Sequence, residues 1–239
     1  MELPNVVVLT GAGISAESGI KTFRDQNGLW EDHSIEEVAT YEAFLKNPEL
    51  VHRFYNMRRQ QLLSKSVMPN PAHMALRKMF DFLGEENFFL VTQNIDDLHD
   101  RTGTPCVHMH GELLKGRCEG CETLFEVKVD LTPSAECKSC DQPGQLRPHV
   151  VWFGEIPIAM EQIYNQLENC DLFLSIGTSG LVYPAAQFVQ QAKRVGGAKC
   201  VEFNMGDTPI SIGFDESIVG PAGETLPVWV DQFVKKYGG

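Results

Sequence analysis

The fold is decided by the stretch Val6-Val7-Val8-Leu9-Thr10-Gly11-Ala12-Gly13-Ile14-Ser15-Ala16-Glu17-Ser18-Gly19. Its run of four apolar residues, three of them Val, predicts a strand buried on both faces, as in a parallel sheet. Gly11 and Gly13 follow directly, and with Ala16 they match the form of the dinucleotide-binding fingerprint that ends in Ala. Such glycines bring backbone amides against a pyrophosphate at a helix N-terminus, and Ser15 adds a hydroxyl donor. The stretch therefore favours nucleotide binding, although an ordinary strand–turn–helix has the same pattern.

Length and charge narrow the class of protein. The 239 residues, 43 % of them hydrophobic, suit one large domain or one domain with a small inserted module. A net charge of −12 argues against nucleic acid and anionic membranes as partners and is compatible with lysine-rich protein segments. We expect no membrane span and no signal or transit peptide, hence a cytoplasmic protein. No long exposed apolar run requires an oligomer, so the sequence is compatible with a monomer.

Strand-like apolar runs alternate with helical patterns along most of the chain. Strands are predicted at 88–92, 107–109, 172–176 and 199–203, in addition to the first. Helices are predicted between them, including 48–64, which begins at an Asn-Pro pair, and 184–195, which ends at two glycines. This alternation predicts an α/β fold with a Rossmann-like, doubly wound parallel sheet.

Four of the seven cysteines form two Cys-x-x-Cys pairs separated by 15 residues. They are Cys118, Cys121, Cys137 and Cys140, within a Pro- and Gly-rich insertion at 116–148. This spacing predicts one tetrahedral Zn²⁺ site that is structural, because four thiolates leave no open coordination position. The alternative, four unliganded thiols, leaves the insertion with little core of its own. The remaining cysteines lie near strands and are expected to be small buried residues.

Polar side chains cluster where two of the predicted strands end. Gln93, Asn94 and Asp96 follow the strand at 88–92, at the edge of a doubly wound sheet where ligands bind. Amides and a carboxylate suit an amide-bearing ligand or ribose hydroxyls, while helix capping by Asn94 or Asp96 is the alternative.

Two histidines mark the end of the strand at 107–109. His108 and His110 are two apart, so they share a face if the strand continues through them. His110 precedes a glycine and is well placed as a general base, with a structural histidine as the alternative. The sequence has no nucleophile elbow and no Walker lysine, so an enzyme built this way takes its nucleophile from the substrate.

Residues 20–30 have neither a helical nor a strand period. We interpret them as a loop that folds over a ligand at the glycine turn, with Phe23 as an apolar lid and Arg24 as a cation. A passive connector is the alternative.

Taken in chain order, these motifs resemble those of the sirtuin family of NAD-dependent protein lysine deacylases. The resemblance covers nearly the whole chain, from Val6 to Ala222. It rests on Gly11-Ala12-Gly13-Ile14-Ser15, Thr22-Phe23-Arg24, Gln93-Asn94-Ile95-Asp96, His110-Gly111, the two Cys-x-x-Cys pairs, Val151-Trp152-Phe153-Gly154-Glu155, Gly177-Thr178-Ser179 and Phe203-Asn204.

The resemblance implies NAD as a co-substrate and a role for each motif. The diphosphate would be bound by Gly11, Ala12, Gly13 and Ser15. Nicotinamide and its ribose would lie near Phe23, Arg24, Gln93, Asn94, Ile95 and Asp96. The adenosine half would be lined by Gly177, Thr178, Ser179, Asn204 and Ala222. His110 would be the base. The acyl-lysine tunnel would be walled, and the substrate backbone paired as an added strand, by Val151, Trp152, Phe153, Gly154 and Glu155. Rossmann dehydrogenases place an acidic residue about 20 positions after the glycines; it has no clear counterpart here, and Asn204 would take its role.

The resemblance also implies the reaction. The acyl amide oxygen attacks the nicotinamide ribose, and His110 then activates a ribose hydroxyl that accepts the acyl group. Nicotinamide, O-acyl-ADP-ribose and free lysine are the products, and no hydride is transferred.

Tyr55 and Arg58 lie three apart in the helix predicted at 48–64 and so share a face. The pattern Tyr-x-x-Arg resembles the sirtuin subclass that removes acidic acyl groups. Arg holds a carboxylate by two parallel hydrogen bonds, and a Tyr hydroxyl adds a third. We therefore predict recognition of succinyl-lysine or malonyl-lysine, with deacetylation alongside. A solvated basic face, shared with Arg53 and Arg59, is the alternative.

Two further functions stay open from the sequence: a protein mono-ADP-ribosyltransferase that cleaves NAD in the same way, and a non-catalytic NAD sensor. For the architecture we predict an NAD-binding domain of residues 1–30, 76–115 and 149–239. A smaller domain would combine the helical insert 31–75 with the zinc-binding module 116–148, and the active site would lie in the cleft between the two.

Overall fold

The structure is a computed structural model that describes residues 2–21, the backbone of residues 29–30, and residues 33–239. Its strands are β1 (Val6–Thr10), β2 (Leu29–Trp30), β3 (His33–Ser34), β4 (Phe88–Thr92), β5 (Val107–His108), β6 (Gly111–Cys118), β7 (Leu124–Glu126), β8 (Leu146–Val150), β9 (Leu172–Ile176), β10 (Lys199–Asn204) and β11 (Glu216–Val219). Its α-helices are α1 (Ile35–Val38), α2 (Tyr41–Lys46), α3 (Pro48–Leu62), α4 (Pro71–Leu83), α5 (Leu98–Arg101), α6 (Met160–Glu168), α7 (Phe188–Gln191) and α8 (Ala222–Tyr237).

Six strands form one parallel sheet in the order β11-β10-β9-β1-β4-β5. Numbered within this sheet alone, the order is 6-5-4-1-2-3, the doubly wound Rossmann arrangement read from the other edge. The predicted α/β fold is confirmed. The strand order reverses between β1 and β9, and their carboxyl ends form the crevice in which such sheets bind ligands.

The buried run in β1 explains why it is the central strand. Val6 and Val8 pack into a core with α4 and α8 on one face, while Val7 and Leu9 pack with α6 and α7 on the other. All five residues of β1 are buried. Each fully buried Val or Leu side chain contributes about 1.5–3 kcal/mol relative to exposure, which is why this strand reads as a continuous apolar run.

Two smaller structural units are inserted between the strands of the parallel sheet. Helices α1–α3 share a core that includes Phe44, Phe54 and Trp152. Strands β7-β6-β8 form an antiparallel sheet that carries the paired cysteines over a small core. Three of the predicted domain boundaries fall inside elements, namely α4, β6 and β8, and the division into domains stays a prediction.

Two predicted helices differ in detail. Helix α3 ends at Leu62, two residues before the predicted end. The predicted helix 184–195 is a 3₁₀ turn, the short α7 and a π turn over Ala192–Gly196. The wide final turn forms because Ala198 donates its amide to the Ala192 carbonyl while Gly197 adopts a left-handed φ of 67°.

Within the described part of the chain, none of the helices has the length and apolar character needed to cross a bilayer.

Candidate active site

A cleft of about 730 Å³ opens at the carboxyl ends of the central strands. It is lined by every predicted cofactor, substrate and catalytic residue that the structure describes: Gly11, Ala12, Gly13, Ser15, Tyr55, Arg58, Gln93, Asn94, Ile95, Asp96, His110, Val151, Trp152, Phe153, Gly154, Glu155, Gly177, Thr178, Ser179, Asn204 and Ala222. Phe23 and Arg24 lie outside the described residues. Sequence motifs separated by up to 211 positions (Gly11 to Ala222) thus converge on one cavity.

The glycines at the bottom of the cleft hold two strand ends together. Gly11 donates its amide to the Ile176 carbonyl at 3.0 Å, and Gly13 donates to the Gly177 carbonyl at 2.9 Å. A Cβ on Gly13 would lie 2.6 Å from the Gly177 Cα, and Gly177 itself has a φ of 62°. The expectation that these amides face a pyrophosphate needs correction, because both are already bonded to the neighbouring strand end. The following Ala12–Ser18 segment is a 3₁₀ helix.

Ser15, Asn94 and Asp96 form a buried network beside the glycines. The Ser15 hydroxyl donates to Asp96 Oδ2 at 2.9 Å, and Asn94 Nδ2 donates to the Gly11 carbonyl at 3.1 Å and to Ser15 Oγ at 3.2 Å. Asp96 Oδ1 accepts from the Leu98 amide at 3.1 Å, so this carboxylate also caps α5. Burial raises the pKa of Asp96, against the opposing effect of these donors.

The two histidines do not share a face, contrary to expectation. Strand β5 ends at His108, whose ring bonds to the Asn94 carbonyl at 3.3 Å and to Asp100 Oδ2 at 3.0 Å. His110 lies beyond the strand and lines the cleft. Although burial opposes it, the Asp100 carboxylate raises the pKa of His108, whereas burial lowers the pKa of His110. Of the two, His110 is the one that lines the cavity, and its lowered pKa favours the neutral form that a base requires.

The ring of His110 has a defined tautomer. Its Nδ1 lies 3.0 Å from the Gln93 carbonyl oxygen. Because a carbonyl only accepts, Nδ1 carries the hydrogen, and Nε2 is the unprotonated atom.

Tyr55 and Arg58 lie one turn apart on α3, and both are buried at the cleft, with 0 % and 8 % exposure. The Tyr55 hydroxyl accepts a 2.9 Å hydrogen bond from Trp152 Nε1. Burial raises the pKa of Tyr55, so its hydroxyl stays protonated. Arg58 donates to the Phe54 carbonyl at 3.2 Å, and its guanidinium stacks 3.8 Å from the Phe54 ring centroid. Tyr55 and Arg58 therefore do not belong to a solvent-exposed basic face, which was the alternative interpretation of this helix.

Residues 151–155 form a turn after β8. The Glu155 amide donates to the Trp152 carbonyl at 3.0 Å, and the Phe153 amide donates to the Ala39 carbonyl at 3.0 Å. Only part of this backbone is therefore available to pair with another chain.

Arg147 is a residue that the sequence analysis missed. It is fully buried, stacks 3.4 Å from the Trp152 ring centroid, and holds Glu155 through bonds of 2.7 and 2.9 Å. It thereby fixes the turn that walls the cleft. The available signal was a lone Arg inside the otherwise strand-like segment Leu146–Val150.

The opposite end of the cleft is built from the ends of β9, β10 and the start of α8. Asn204 Nδ2 donates to the Thr178 carbonyl at 2.6 Å, and the Ser179 hydroxyl accepts from the Leu181 amide at 3.2 Å. Ala222 begins the 16-residue helix α8. This end of the cleft is polar and rests on a helix N-terminus, which suits an anionic or hydroxyl-rich ligand.

The four paired cysteines bring their sulfur atoms within 4.8 Å of one another. Cys118 and Cys140, and likewise Cys121 and Cys137, have Sγ atoms 3.7 Å apart. Four sulfurs at this spacing suit one structural Zn²⁺, as predicted. None of them lines the cleft.

Comparisons with known proteins agree with this geometry. Residues 11–184 match the model of the Sir2 family. The chain is 53 % identical to the NAD-dependent protein deacylase of Salmonella typhimurium over 236 residues (98 % of this chain, 86 % of that protein), and 55 % identical to the one of Bdellovibrio bacteriovorus over 232 residues (97 % of each).

Solved structures give the same result. A Sir2 homologue in complex with NAD has a TM-score of 0.86 and 38 % identity, covering 97 % of this chain and 90 % of that one. A complex of Sir2 with a p53 peptide and NAD⁺ has a TM-score of 0.77 and 27 % identity, covering 98 % and 93 %.

Proposed function

The chain belongs to the Sir2 family, the sirtuins, and is an NAD-dependent protein deacylase; from this premise we propose that its preferred substrates are succinyl-lysine and malonyl-lysine, with acetyl-lysine accepted less well. The observation that carries the proposal is the pair Tyr55 and Arg58. Both are buried on one face of α3, at the cleft that also contains His110.

The buried guanidinium of Arg58 favours an acidic acyl group. A charge that is only 8 % exposed gains more from a carboxylate than a solvated one does, because little water competes for it. Arg58 also contributes to the environment of Tyr55, where its charge opposes the effect of burial on the pKa. A carboxylate between the two side chains would accept from both.

The hydroxyl of Tyr55 is a suitable second donor. The Trp152 indole is a donor only, so the Tyr55 hydroxyl is the acceptor in their bond and keeps its own hydrogen. A raised pKa keeps that hydrogen in place at neutral pH. An acetyl group, which has no carboxylate, makes no use of either donor.

The residues of the cleft fit NAD. Gly13 and Gly177 approach so closely that a Cβ on either would collide with the backbone of the other, and Asn94 and Asp96 present an amide and a carboxyl group nearby. We propose that these residues and the α8 N-terminus bind the cofactor in the roles that the family resemblance implies. When bound, NAD supplies the ribose carbon attacked by the acyl oxygen and the ADP-ribose that accepts the acyl group.

His110 is proposed as the base. With Nδ1–H bonded to the Gln93 carbonyl, Nε2 is free of hydrogen and can take a proton from a ribose hydroxyl. The lowered pKa of His110 keeps this atom unprotonated at pH 7. The 151–155 turn is proposed to hold the substrate backbone and to wall the lysine tunnel, with Trp152 braced by Tyr55 and Arg147.

A matched pair of peptides tests the acyl preference. One carries succinyl-lysine, and the other carries the same acyl chain with its terminal carboxylate replaced by a carboxamide, so that only the charge differs. We expect kcat/KM to be at least tenfold higher for the charged peptide, with O-succinyl-ADP-ribose and nicotinamide as products. Equal values for the two peptides would contradict the carboxylate clamp, and ADP-ribosylated protein in place of these products would favour the transferase alternative.

A further inference from the structure

Two buried imidazoles lie behind the cleft and take no part in the reaction described above. His73 on α4 is 0 % exposed and His99 on α5 is 1 % exposed, and their ring centroids are 4.9 Å apart. Neither lines the cleft. Each ring has one nitrogen with a partner and one nitrogen with none among the described residues: His73 Nε2 and His99 Nδ1.

The partner of His73 fixes its tautomer. The Asn70 amide donates to His73 Nδ1 at 3.3 Å, where this histidine closes the capping box of α4. A nitrogen that accepts from an amide carries no hydrogen, so the hydrogen of the neutral ring is on Nε2. His73 therefore presents an N–H donor at its unpartnered position.

The partner of His99 also places the ring hydrogen on Nε2, but here the unpartnered nitrogen is the one without a hydrogen. The Thr10 hydroxyl donates its single hydrogen to Thr92 Oγ1 at 2.8 Å and lies 3.0 Å from His99 Nε2. With its hydrogen already used, Thr10 Oγ1 accepts, so Nε2 of His99 is the donor and Nδ1 is bare. His99 therefore presents an acceptor at its unpartnered position.

We propose that one buried water bridges the two unpartnered nitrogens, accepting from His73 Nε2–H and donating to His99 Nδ1, and that the two histidines are positioning residues for the cofactor side of the cleft. A buried donor and a buried acceptor on adjacent rings each destabilise the fold if they are left without a hydrogen bond. Their complementarity closes one directional chain of hydrogen bonds, from Asn70 through His73, His99 and Thr10 to Thr92.

One end of this hydrogen-bond chain holds residues of the cleft, and the other holds the segment that follows the glycine turn. Thr92 Oγ1 accepts from the Asn94 amide at 3.0 Å, and the Asn94 side chain bonds to Gly11 and Ser15. At the other end, Asn70 Nδ2 donates to the Ile14 carbonyl at 2.7 Å. These hydrogen bonds thus hold the end of β4 and the glycine turn in a fixed relative position.

The hydrogen-bond chain forms only when both imidazole rings are neutral. A second proton on His99 would remove the acceptor to which the bridging water donates. Burial lowers the pKa of both histidines, to about 4 for His73, and the charged forms of His73 and His108 oppose a proton on His99 further. The chain is therefore intact at neutral pH.

The tautomers are measured on the wild-type protein by long-range ¹H–¹⁵N NMR of the imidazoles at pH 7.5, with His73→Gln and His99→Gln spectra for assignment. We expect the hydrogen on Nε2 of both rings. A hydrogen on Nδ1 of either ring would overturn the proposal.

Two substitutions of similar shape test the positioning role. In His99→Gln the amide can donate to Thr10 and accept from the bridging water, whereas His99→Met fills the same space with neither group. We expect the Kd for NAD, measured by calorimetry, to stay within threefold in His99→Gln and to rise at least tenfold in His99→Met. Equal Kd values in the two variants would assign His99 a packing role only and would overturn the proposal.

Discussion

The indole N–H of Trp152 donates to the hydroxyl of Tyr55 across 2.9 Å, and this bond joins the 151–155 turn to helix α3. Trp152 is held from its other face by Arg147, whose guanidinium lies 3.4 Å from the ring centroid. The wall of the cleft and the proposed acyl clamp are therefore one packed unit. Changes to either partner should affect both stability and substrate choice.

Tyr55→Phe should produce both effects. Removing the hydroxyl leaves the buried Trp152 N–H without its acceptor, which costs about 1–3 kcal/mol of unfolding free energy. It also removes one donor to the acyl carboxylate, so desuccinylation should fall about tenfold while deacetylation changes less. Urea denaturation and kcat/KM for both peptides check this. The control is Tyr164→Phe, outside the cleft on α6, and a Tyr55→Phe variant with equal losses on both substrates would remove Tyr55 from the clamp.

Arg58→Met should separate the substrates more strongly. Charge-assisted bonds contribute about 1.5–3 kcal/mol each, and 1.4 kcal/mol corresponds to a factor of ten. We expect kcat/KM for succinyl-lysine to fall about 100-fold and that for acetyl-lysine to stay within a few-fold. Arg53→Met on the exposed side of the same helix is the matched control and should leave both values unchanged. Loss of both activities to the same extent in Arg58→Met would contradict the clamp.

His110 sets the expected pH dependence. A base acts in its neutral form, which predominates above its pKa, and burial lowers the pKa of His110 below the ordinary value of about 6.5. The rate should therefore be flat through neutral pH and fall only below about pH 6.5, as His110 gains a proton.

Substitution separates this base from other titrating groups. His110→Asn keeps a donor for the Gln93 carbonyl but should lower kcat by about 10²–10⁴. His149→Asn, on β8 and outside the cleft, should keep the wild-type profile. An acid limb centred above pH 7, or an unchanged kcat in His110→Asn, would show that another group is the base.

Zinc should support activity from a distance. Asn56 on α3 bonds to both the amide and the carbonyl of Leu131, a core residue of the cysteine-bearing unit, at 3.0 and 2.8 Å. Loss of the metal should release this contact next to Tyr55. Cys140→Ala should therefore lose the bound zinc, measured by atomic emission, together with deacylation. The matched variant Cys106→Ala should keep one zinc per chain; loss of zinc from both variants, or from neither, would contradict the assigned ligands.

Sequence patterns predicted the elements whose signals are local. The apolar run of β1, the glycine turn and the two cysteine pairs each specify their structure over a few residues. The positions of His108 and His110 were not predictable in this way, because the short strand β5 pairs with β4 only at Val107 and His108, and the Asp100 carboxylate then bonds the His108 ring.

The burial of Arg59 and Arg147 also lay beyond sequence reasoning. Charged residues are rarely buried, and what buries these is contact with distant parts of the chain. Arg59 donates to the Leu113 carbonyl, and Arg147 pairs with Glu155 and stacks on Trp152. Such contacts become visible only when the fold brings separate segments together.

A competition in one tube tests most directly whether the enzyme prefers acidic acyl groups. The purified protein is incubated with NAD and equal amounts of two peptides of one sequence, one succinylated and one acetylated at the same lysine, and both are followed by mass spectrometry. We expect NAD-dependent loss of both groups, with the succinyl group removed at least tenfold faster. Faster removal of acetyl, or equal rates, would contradict acidic-acyl recognition by Tyr55 and Arg58.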